Sequence, residues 1–320
     1  MVDYCVFRNN EDDTWLAFHV DDTKIMAVID AAMVKLLKGL EPEYRVLTMR
    51  SGSVIEYLQM VFDYNEPGRG TVRMPAYADK IFEQAEPFVQ GKVGGKWPAL
   101  DDLEKLSRDV QHLPGTRELG PTLGCVRAPR VHCFIDASFS VQSEIKSHSG
   151  CVVSLGRGTV YGKSSRQSLV SKSSTEAELV AISDCICQAF WIERLMRGIG
   201  VECLGTILYQ DNEATMKVVR SGRPNSSQTR HFALRHFFVS DRVASGELEM
   251  TYCPTKQMLA DADTKPLQGR AFRSLREHML GVEFVYPAQA TTDRRKCLDI
   301  HANGQWSNCY LFPRFGPFNC

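Results

Sequence analysis

Four acidic residues stand where they could be brought to one site. Glu178 lies in Ser173-Ser174-Thr175-Glu176-Ala177-Glu178-Leu179-Val180-Ala181, which reads as a helix start. Ser173 and Glu176 form a capping box there, each side chain satisfying a free backbone N–H of the other. Glu176 is thereby occupied, whereas Glu178, just past the first turn, has no local partner and can reach inward. Asp136 closes the run Phe134-Ile135-Asp136-Ala137-Ser138, and Asp211 follows Ile207-Leu208-Tyr209-Gln210. Asp261 opens a helix-like segment, with Asp263 two residues on as a competing candidate. Carboxylates gathered in this way repel one another, so their convergence points to a bound cation rather than to a structural role. Mg²⁺ takes oxygen ligands only, which suits such a set, and Mn²⁺ is the expected substitute. Two Mg²⁺ ions about 4 Å apart can activate water and stabilise charge on both oxygens of a phosphodiester under attack.

The elements that must position these acids follow from hydrophobic period and turn signals. Strands are expected at Val131–Ala137, Gly150–Leu155 and Thr159–Gly162, the last two joined by a hairpin turn at Gly156-Arg157-Gly158. A long helix from Ser173 to Arg197 shows an apolar face at Leu179, Ile182, Ile186 and Phe190 and closes at Gly198 and Gly200. Then come a strand at Thr206–Gln210, a helix through Arg220, and a helix over 226–244 with Leu234, Phe237, Phe238 and Val243 facing inward. A strand at Glu247–Cys253 stops at Pro254, and a last helix runs from Met258 to Leu280. The order is βββ-α-β-α-α-β-α, a mixed sheet with helices packed on it.

Ahead of this lie a β-hairpin around Asn9–Asp13, a helix over 27–41, strands at Val54–Asp63 and Thr71–Met74 turning at Glu66–Gly70, and a helix through Tyr77–Phe88. From about 90 to 130 the composition shifts to Gly, Pro and charge around one helical run, which reads as a linker. Residues 285–320 lack periodicity and read as a loose tail.

A chain of 320 residues, 43% hydrophobic, has room for roughly two domains. No run of about 18 apolar residues and no basic-then-apolar leader occurs, so neither membrane span nor signal peptide is expected, and the chain is placed in the cytoplasm or nucleus. Eleven cysteines form no CxxC pair and read as free thiols in a reducing compartment, with Cys185 and Cys187 as packing residues. The zero net charge is unevenly spread. Residues 1–110 carry 13 Lys/Arg against 19 Asp/Glu, and residues 127–280 carry 20 against 15. With four of those acids held on metal, the second segment presents a basic surface suited to a polyanion.

Several motifs follow one another in the second half. They are Ser149-Gly150-Cys151-Val152 through Ser164-Ser165-Arg166-Gln167, the Ser173–Ala181 stretch, and Gln210-Asp211-Asn212. Thr229-Arg230-His231 through Arg235-His236-Phe237-Phe238, Tyr252-Cys253-Pro254-Thr255 and Leu259-Ala260-Asp261 through Thr264-Lys265-Pro266-Leu267 complete the series. This series resembles the ribonuclease H domain of copia-type LTR-retrotransposon Pol polyproteins. The front of the chain is similar to the end of the reverse transcriptase of the same polyproteins, with His19-Val20-Asp21-Asp22 where the family has Tyr-Val-Asp-Asp. A pair such as Asp21 and Asp22 is also an ordinary turn, and the sequence begins just before it, so polymerase activity is not expected.

The resemblance implies an α/β fold: an RNase H-like mixed five-stranded sheet flanked by helices, preceded by a truncated α+β reverse-transcriptase palm remnant. The implied domains are a partial reverse transcriptase over 1–90, a shortened connection over 91–130, a ribonuclease H-like domain over 131–282 and an irregular tail over 283–320. Asp136, Glu178, Asp211 and Asp261 become the metal-binding and catalytic carboxylates. The implied activity is two-Mg²⁺ hydrolysis of the RNA strand of RNA–DNA hybrids, with other segments of the polyprotein as further partners. Selectivity for RNA then rests on 2′-hydroxyl contacts, for which Ser138 and Asn212 stand close by. Asn212 reads equally well as a helix N-cap. Arg230 and His231 are candidates to bind phosphate or carry a proton, against the plainer reading of a solvent-facing pair. The rival from another class is a catalytically silent, nucleic-acid-binding relic of the polyprotein.

Overall fold

The computed structural model describes residues 5–9, 11, 14–19, 22–27, 30–40, 42, 50, 52–66, 69–89, 107, 110–125, 128–139, 146–222, 230–282 and 318–319. The chain forms two compact units, one comprising residues 4–122 with 312–320 and the other 123–311 with 1–3. The division falls at Thr122 and Leu123, inside the stretch read as a linker. That stretch also carries helix α3 (110–116) and strand β7 (Thr122–Cys125).

In the first unit, β1 (Val6–Asn9), β2 (Thr14–His19) and β3 (Asp22–Met26) form an antiparallel meander, followed by α1 (Asp30–Leu40). Ile25, Ala27, Ala32, Met33 and Leu37 make its small core. Strands β4 (Val54–Tyr57), β5 (Met60–Asp63) and β6 (Gly70–Arg73) form a second meander before α2 (Pro75–Val89). Val54–Asp63, expected as one strand, is a hairpin. Leu58 and Gln59 turn it at φ of 51° and 62°, values that residues other than glycine rarely adopt, so no turn signal marks the position. The tail, expected to be irregular, contributes β14 (Phe318–Asn319), which pairs antiparallel with β3.

The second unit is built on a five-stranded sheet. Its strands are β8 (Val131–Ser138), β9 (His148–Ser154), β11 (Thr159–Arg166), β12 (Thr206–Gln210) and β13 (Leu248–Tyr252), in the order β11-β9-β8-β12-β13. The first three pair antiparallel as consecutive hairpins, while β12 runs parallel to both β8 and β13. Parallel neighbours need crossovers. These are α4 (Ser174–Gly198) ahead of β12, then α5 (Glu213–Ser221) and α6 (Arg230–Ala244) ahead of β13. Short β10 (Gly156–Arg157) pairs with β7.

Central β8 is covered on both faces, so its alternation sorts residues between two cores. Val131, Cys133, Ile135 and Ala137 pack with Leu179, Ile182, Ile186 and Leu208 beneath α4. Phe134 packs on the other face with Val152, Tyr209, Met258 and Leu259. Each fully buried Ile or Leu contributes roughly 1.5–3 kcal/mol, so these two layers carry the fold.

Three expectations for this unit need correction. Leu234 and Phe237 are 61% and 51% exposed rather than inward. The buried face of α6 instead carries His236, Val239 and Ser240, with His236 Nε2 bonded to the Val218 carbonyl at 3.0 Å and 3.4 Å from Ser240 Oγ, while Nδ1 has no hydrogen-bond partner among the described residues. Counting apolar residues therefore misplaced the face. The helix expected over 258–280 is two pieces, α7 (Asp261–Thr264) and α8 (Gly269–Met279), preceded by a 3₁₀ turn at Thr255–Gln257. Pro266 explains the break, since the residue before proline is driven extended and Lys265 sits at φ −124°, ψ 140°. Cys187, read as a packing residue, is exposed, whereas Cys185 is buried. The start at 226 expected for α6 lies outside the described residues, and that helix is described from Arg230. No helix among the described residues is long and apolar enough to cross a membrane.

Gly150 and His132 generate two predictions. A Cβ on Gly150 would lie 2.7 Å from the Ala260 carbonyl oxygen and 2.9 Å from Asp263 Cβ, so glycine is what lets the 260–264 segment lie against β9. Gly150→Ala is expected to cost about 1–3 kcal/mol by overpacking, read from the urea midpoint. His132 is buried, bonded through Nδ1 to the Tyr209 hydroxyl at 3.0 Å, and burial, with a smaller push from Arg130, lowers its pKa to about 4. Between pH 6.5 and 4 the unfolded chain takes up a proton that the folded chain refuses, so stability falls as pH falls through that window. The loss is about 3 kcal/mol. His132→Phe should flatten that acid limb, as measured by urea unfolding at a series of pH values.

Candidate functional site

Asp136, Glu178 and Asp211 converge. Each offers a carboxylate oxygen, and the three oxygens all lie within 4.8 Å of one another. The parallel pairing of β8 and β12 accounts for two of them. Tyr209 is opposite Phe134, and the same register two residues further along brings Asp211 level with Asp136 at the carboxyl ends of both strands. The third comes from the second turn of α4. Ser173 caps that helix by accepting from the Glu176 N–H at 3.2 Å, but the Glu176 carboxylate accepts from the Lys172 N–H at 2.7 Å rather than from the Ser173 N–H of the expected box. Glu176 is thus held away from the site by that bond.

Two glutamines fix the geometry, and sequence reading assigned neither to the site. Gln210, fully buried at the end of β12, donates from Nε2 to Glu178 Oε2 at 3.2 Å. Its Oε1 accepts from the backbone N–H groups of Asp211 at 2.8 Å and Asn212 at 3.0 Å. One side chain therefore orients one acid and shapes the turn that carries another. Gln167 donates to the Ala177 carbonyl at 2.8 Å and to Ser149 Oγ at 2.9 Å, tying the serine-rich link to the start of α4. A polar residue ending an apolar strand was the available signal for Gln210. The Tyr252-Cys253-Pro254-Thr255 motif also gains a role, because the Thr255 hydroxyl donates to Asp211 Oδ2 at 3.0 Å.

Asp261 lies beside the trio rather than within it. Lys265 Nζ is 2.6 Å from Asp261 Oδ1 and 3.5 Å from Asp136 Oδ2, so it links the two acids. Asp136 Oδ2 also accepts from the Thr264 hydroxyl. Asp263 shares none of these contacts; its backbone carbonyl accepts from Ser164 Oγ at 2.6 Å. Asn212 caps α5, accepting from the Thr215 N–H at 3.1 Å. Ser138 Oγ is buried at the end of β8 with no hydrogen-bond partner among the described residues. Arg230 and His231 open α6, but their side chains lie outside the described residues. Asp21 also lies outside them, and Asp22, whose side chain is not described, opens β3 opposite His19.

Electrostatics shows the cost of this gathering. Burial, with the Asp136 charge beside it, holds the Glu178 carboxyl well above the usual range, against the opposing hydrogen bond from Gln210. Burial also lifts Asp261 to about 6 despite its bond to Lys265, with Asp136 and Asp211 adding to the rise. For Asp261 the folded chain keeps a proton between about pH 3.8 and 6 that the unfolded chain has lost. Stability from this group therefore falls as pH rises across that window. A cation between the acids reverses the penalty, and the all-oxygen donor set fits a hard divalent ion such as Mg²⁺.

A mixed sheet in this order, with long α4 packed across one face, is an RNase H-like α/β fold. Homologues of the chain are Pol polyproteins of the Ty1/copia type. It is 28% identical over 193 residues to the retrovirus-related Pol polyprotein from transposon RE1 of Arabidopsis thaliana, which covers 60% of this chain and 13% of that one. The transposon RE2 polyprotein of the same plant is 29% identical over 193 residues with the same shares. The Ty1-DR5 Gag-Pol polyprotein of Saccharomyces cerevisiae is 30% identical over 140 residues, 44% of this chain and 8% of that one. The chain thus spans a small part of the length of these relatives. No protein-family model matches it. Similar solved structures include RNase H1 from Halobacterium salinarum NRC-1 (TM-score 0.28, 15% identity, 41% of this chain and 90% of that one). Another is a foamy viral protease-reverse transcriptase in complex with RNA/DNA hybrid (TM-score 0.40, 12% identity, 63% and 29%).

Partners that orient metal ligands matter nearly as much as the ligands. Gln210→Leu is therefore expected to weaken Mn²⁺ binding by about 10–100-fold, measured by calorimetry, while the chain stays folded by circular dichroism.

Proposed function

We propose that this chain hydrolyses the RNA strand of RNA–DNA hybrids, with Asp136, Glu178, Asp211 and Asp261 as the acids that hold Mg²⁺. The observation that carries the reading is the convergence of Asp136, Glu178 and Asp211 from two parallel strand ends and one helix, each offering an oxygen within 4.8 Å of the others. The RNase H-like fold and the retrotransposon Pol homology support hybrid cleavage in general. Held by these acids, two Mg²⁺ ions would supply activation of water and stabilisation of charge on the attacking and leaving oxygens, with Mn²⁺ as the substitute.

The chain's own residues hold and select. Gln210 keeps Glu178 and the Asp211 turn in place, so the acids do not reorganise when substrate arrives. Ser138, whose buried hydroxyl has no hydrogen-bond partner among the described residues, takes the contact with a 2′-hydroxyl of the RNA strand once its side chain turns outward. Asn212 keeps its amide N–H donors for the same strand while its oxygen caps α5. Arg230 and His231, at the start of α6, take the phosphate-binding and proton-carrying roles. The partners are an RNA–DNA hybrid and other segments of a Pol polyprotein, in the cytoplasm or nucleus.

The test is cleavage of a labelled RNA–DNA hybrid by the 320-residue chain, with Mg²⁺ or EDTA, beside Asp211→Asn. Cutting of the RNA strand alone, dependent on metal and reduced at least about 100-fold in the variant, is the expected result. A folded chain that binds hybrid and never cuts it would overturn the proposal and leave a silent nucleic-acid-binding protein in its place.

A further inference from the structure

Lys265 holds an unusual place among the acids. It follows α7 directly, and Pro266 after it fixes the backbone extended, so its ammonium reaches the site by side-chain conformation alone. Nζ lies 2.6 Å from Asp261 Oδ1 and 3.5 Å from Asp136 Oδ2. The two acids are nearly sealed, with side chains 7% and 3% exposed, whereas the Lys265 side chain is 36% exposed. A positive charge therefore bridges Asp136 and Asp261 with its stem at the surface. Asp136 is shared: one of its oxygens belongs to the trio with Glu178 and Asp211, and Oδ2 faces Lys265.

We propose that Lys265 is a built-in cation that reserves the position between Asp136 and Asp261. With Lys265 in place, the Asp136, Glu178 and Asp211 trio takes one divalent ion. A second divalent ion enters between Asp136 and Asp261 only when the ammonium swings into solvent. This inference rests on the reading that these acids hold metal.

Three observations support it. An i,i+4 pair between Asp261 and Lys265 would suffice to steady a one-turn helix, but the ammonium also reaches Asp136 on the central strand, far away in sequence. Asp136 and Asp261 face each other's charge in a nearly sealed place, where an absent counterion is costly. Lysine also suits a removable plug, because its charge is compact, strongly hydrated and carried on a flexible stem. A guanidinium, planar and forked, would grip the two acids more firmly.

The experiment is Mn²⁺ titration of the full chain by calorimetry, with electron paramagnetic resonance to detect spin coupling between neighbouring ions. The parent chain, Lys265→Met, Lys265→Arg and Asp211→Asn are compared. The parent and Lys265→Arg are expected to bind one ion tightly and a second weakly. Lys265→Met should bind the second at least tenfold more tightly and show coupling at lower Mn²⁺. Equal second-ion affinity in the parent and Lys265→Met, with the first ion still lost in Asp211→Asn, would overturn the Lys265 inference alone. Absence of any tight ion in every chain would overturn this inference and the metal-site reading together. If Lys265→Met does not fold, the ¹³Cε resonance of Lys265 in the parent answers the same question during a Mg²⁺ titration. It should hold still through the first equivalent and move with the second, and a resonance unmoved throughout would sink the idea.

Discussion

Mutual repulsion among Asp136, Glu178, Asp211 and Asp261 is the constraint around which the second unit is arranged. Burial raises the proton affinity of Glu178 and Asp261, and the neighbouring acid charges add to the rise. Such a gathering persists only where the rest of the fold is stable enough to bear it. Here two apolar layers enclose β8 on both sides, one under α4 and one beneath the 258–275 segments. Both layers offset the concentration of charge at the end of the sheet, the kind of trade in which a strained site is borne by the stability of the rest of the fold.

Polar side chains inside this unit are organised to the same end. Gln210, Gln167, His132 and His236 are all buried, and each has at least one hydrogen-bond partner. A buried amide or imidazole without partners would destabilise the fold, but satisfied ones fix a single geometry. Gln210 and Gln167 do this directly for the acids, one at the end of β12 and one at the approach to α4. His236 replaces an apolar residue on the buried face of α6 and leaves Leu234 and Phe237 in solvent.

Placement of Asp261 shows how one backbone position can govern a distant group. Only glycine at 150 leaves room for the 260–264 segment against β9, where Gly150 pairs with Asp136. Pro266 then ends that segment at Lys265 and sends the chain on to α8. Asp261 and Lys265 thus reach Asp136 because one residue lacks a side chain and another lacks an N–H.

The sequence by itself determined the element order of the second unit, the capping of α4 and three of the acids that meet. Those features are local or periodic. Alternation, helical spacing and the Ser173 cap depend on neighbours a few residues apart, and Glu176 is excluded by its own bond to the Lys172 N–H. Tertiary structure alone decided which face of α6 is buried, that Leu58 and Gln59 form a turn, and that the 258–280 segment breaks in two. It also decided that Gln210 clamps Glu178 and that Lys265 bridges Asp261 to Asp136. These are contacts between residues distant in sequence, set by strand register and close packing. No local period encodes them, because their energy exists only once the sheet has brought the partners together.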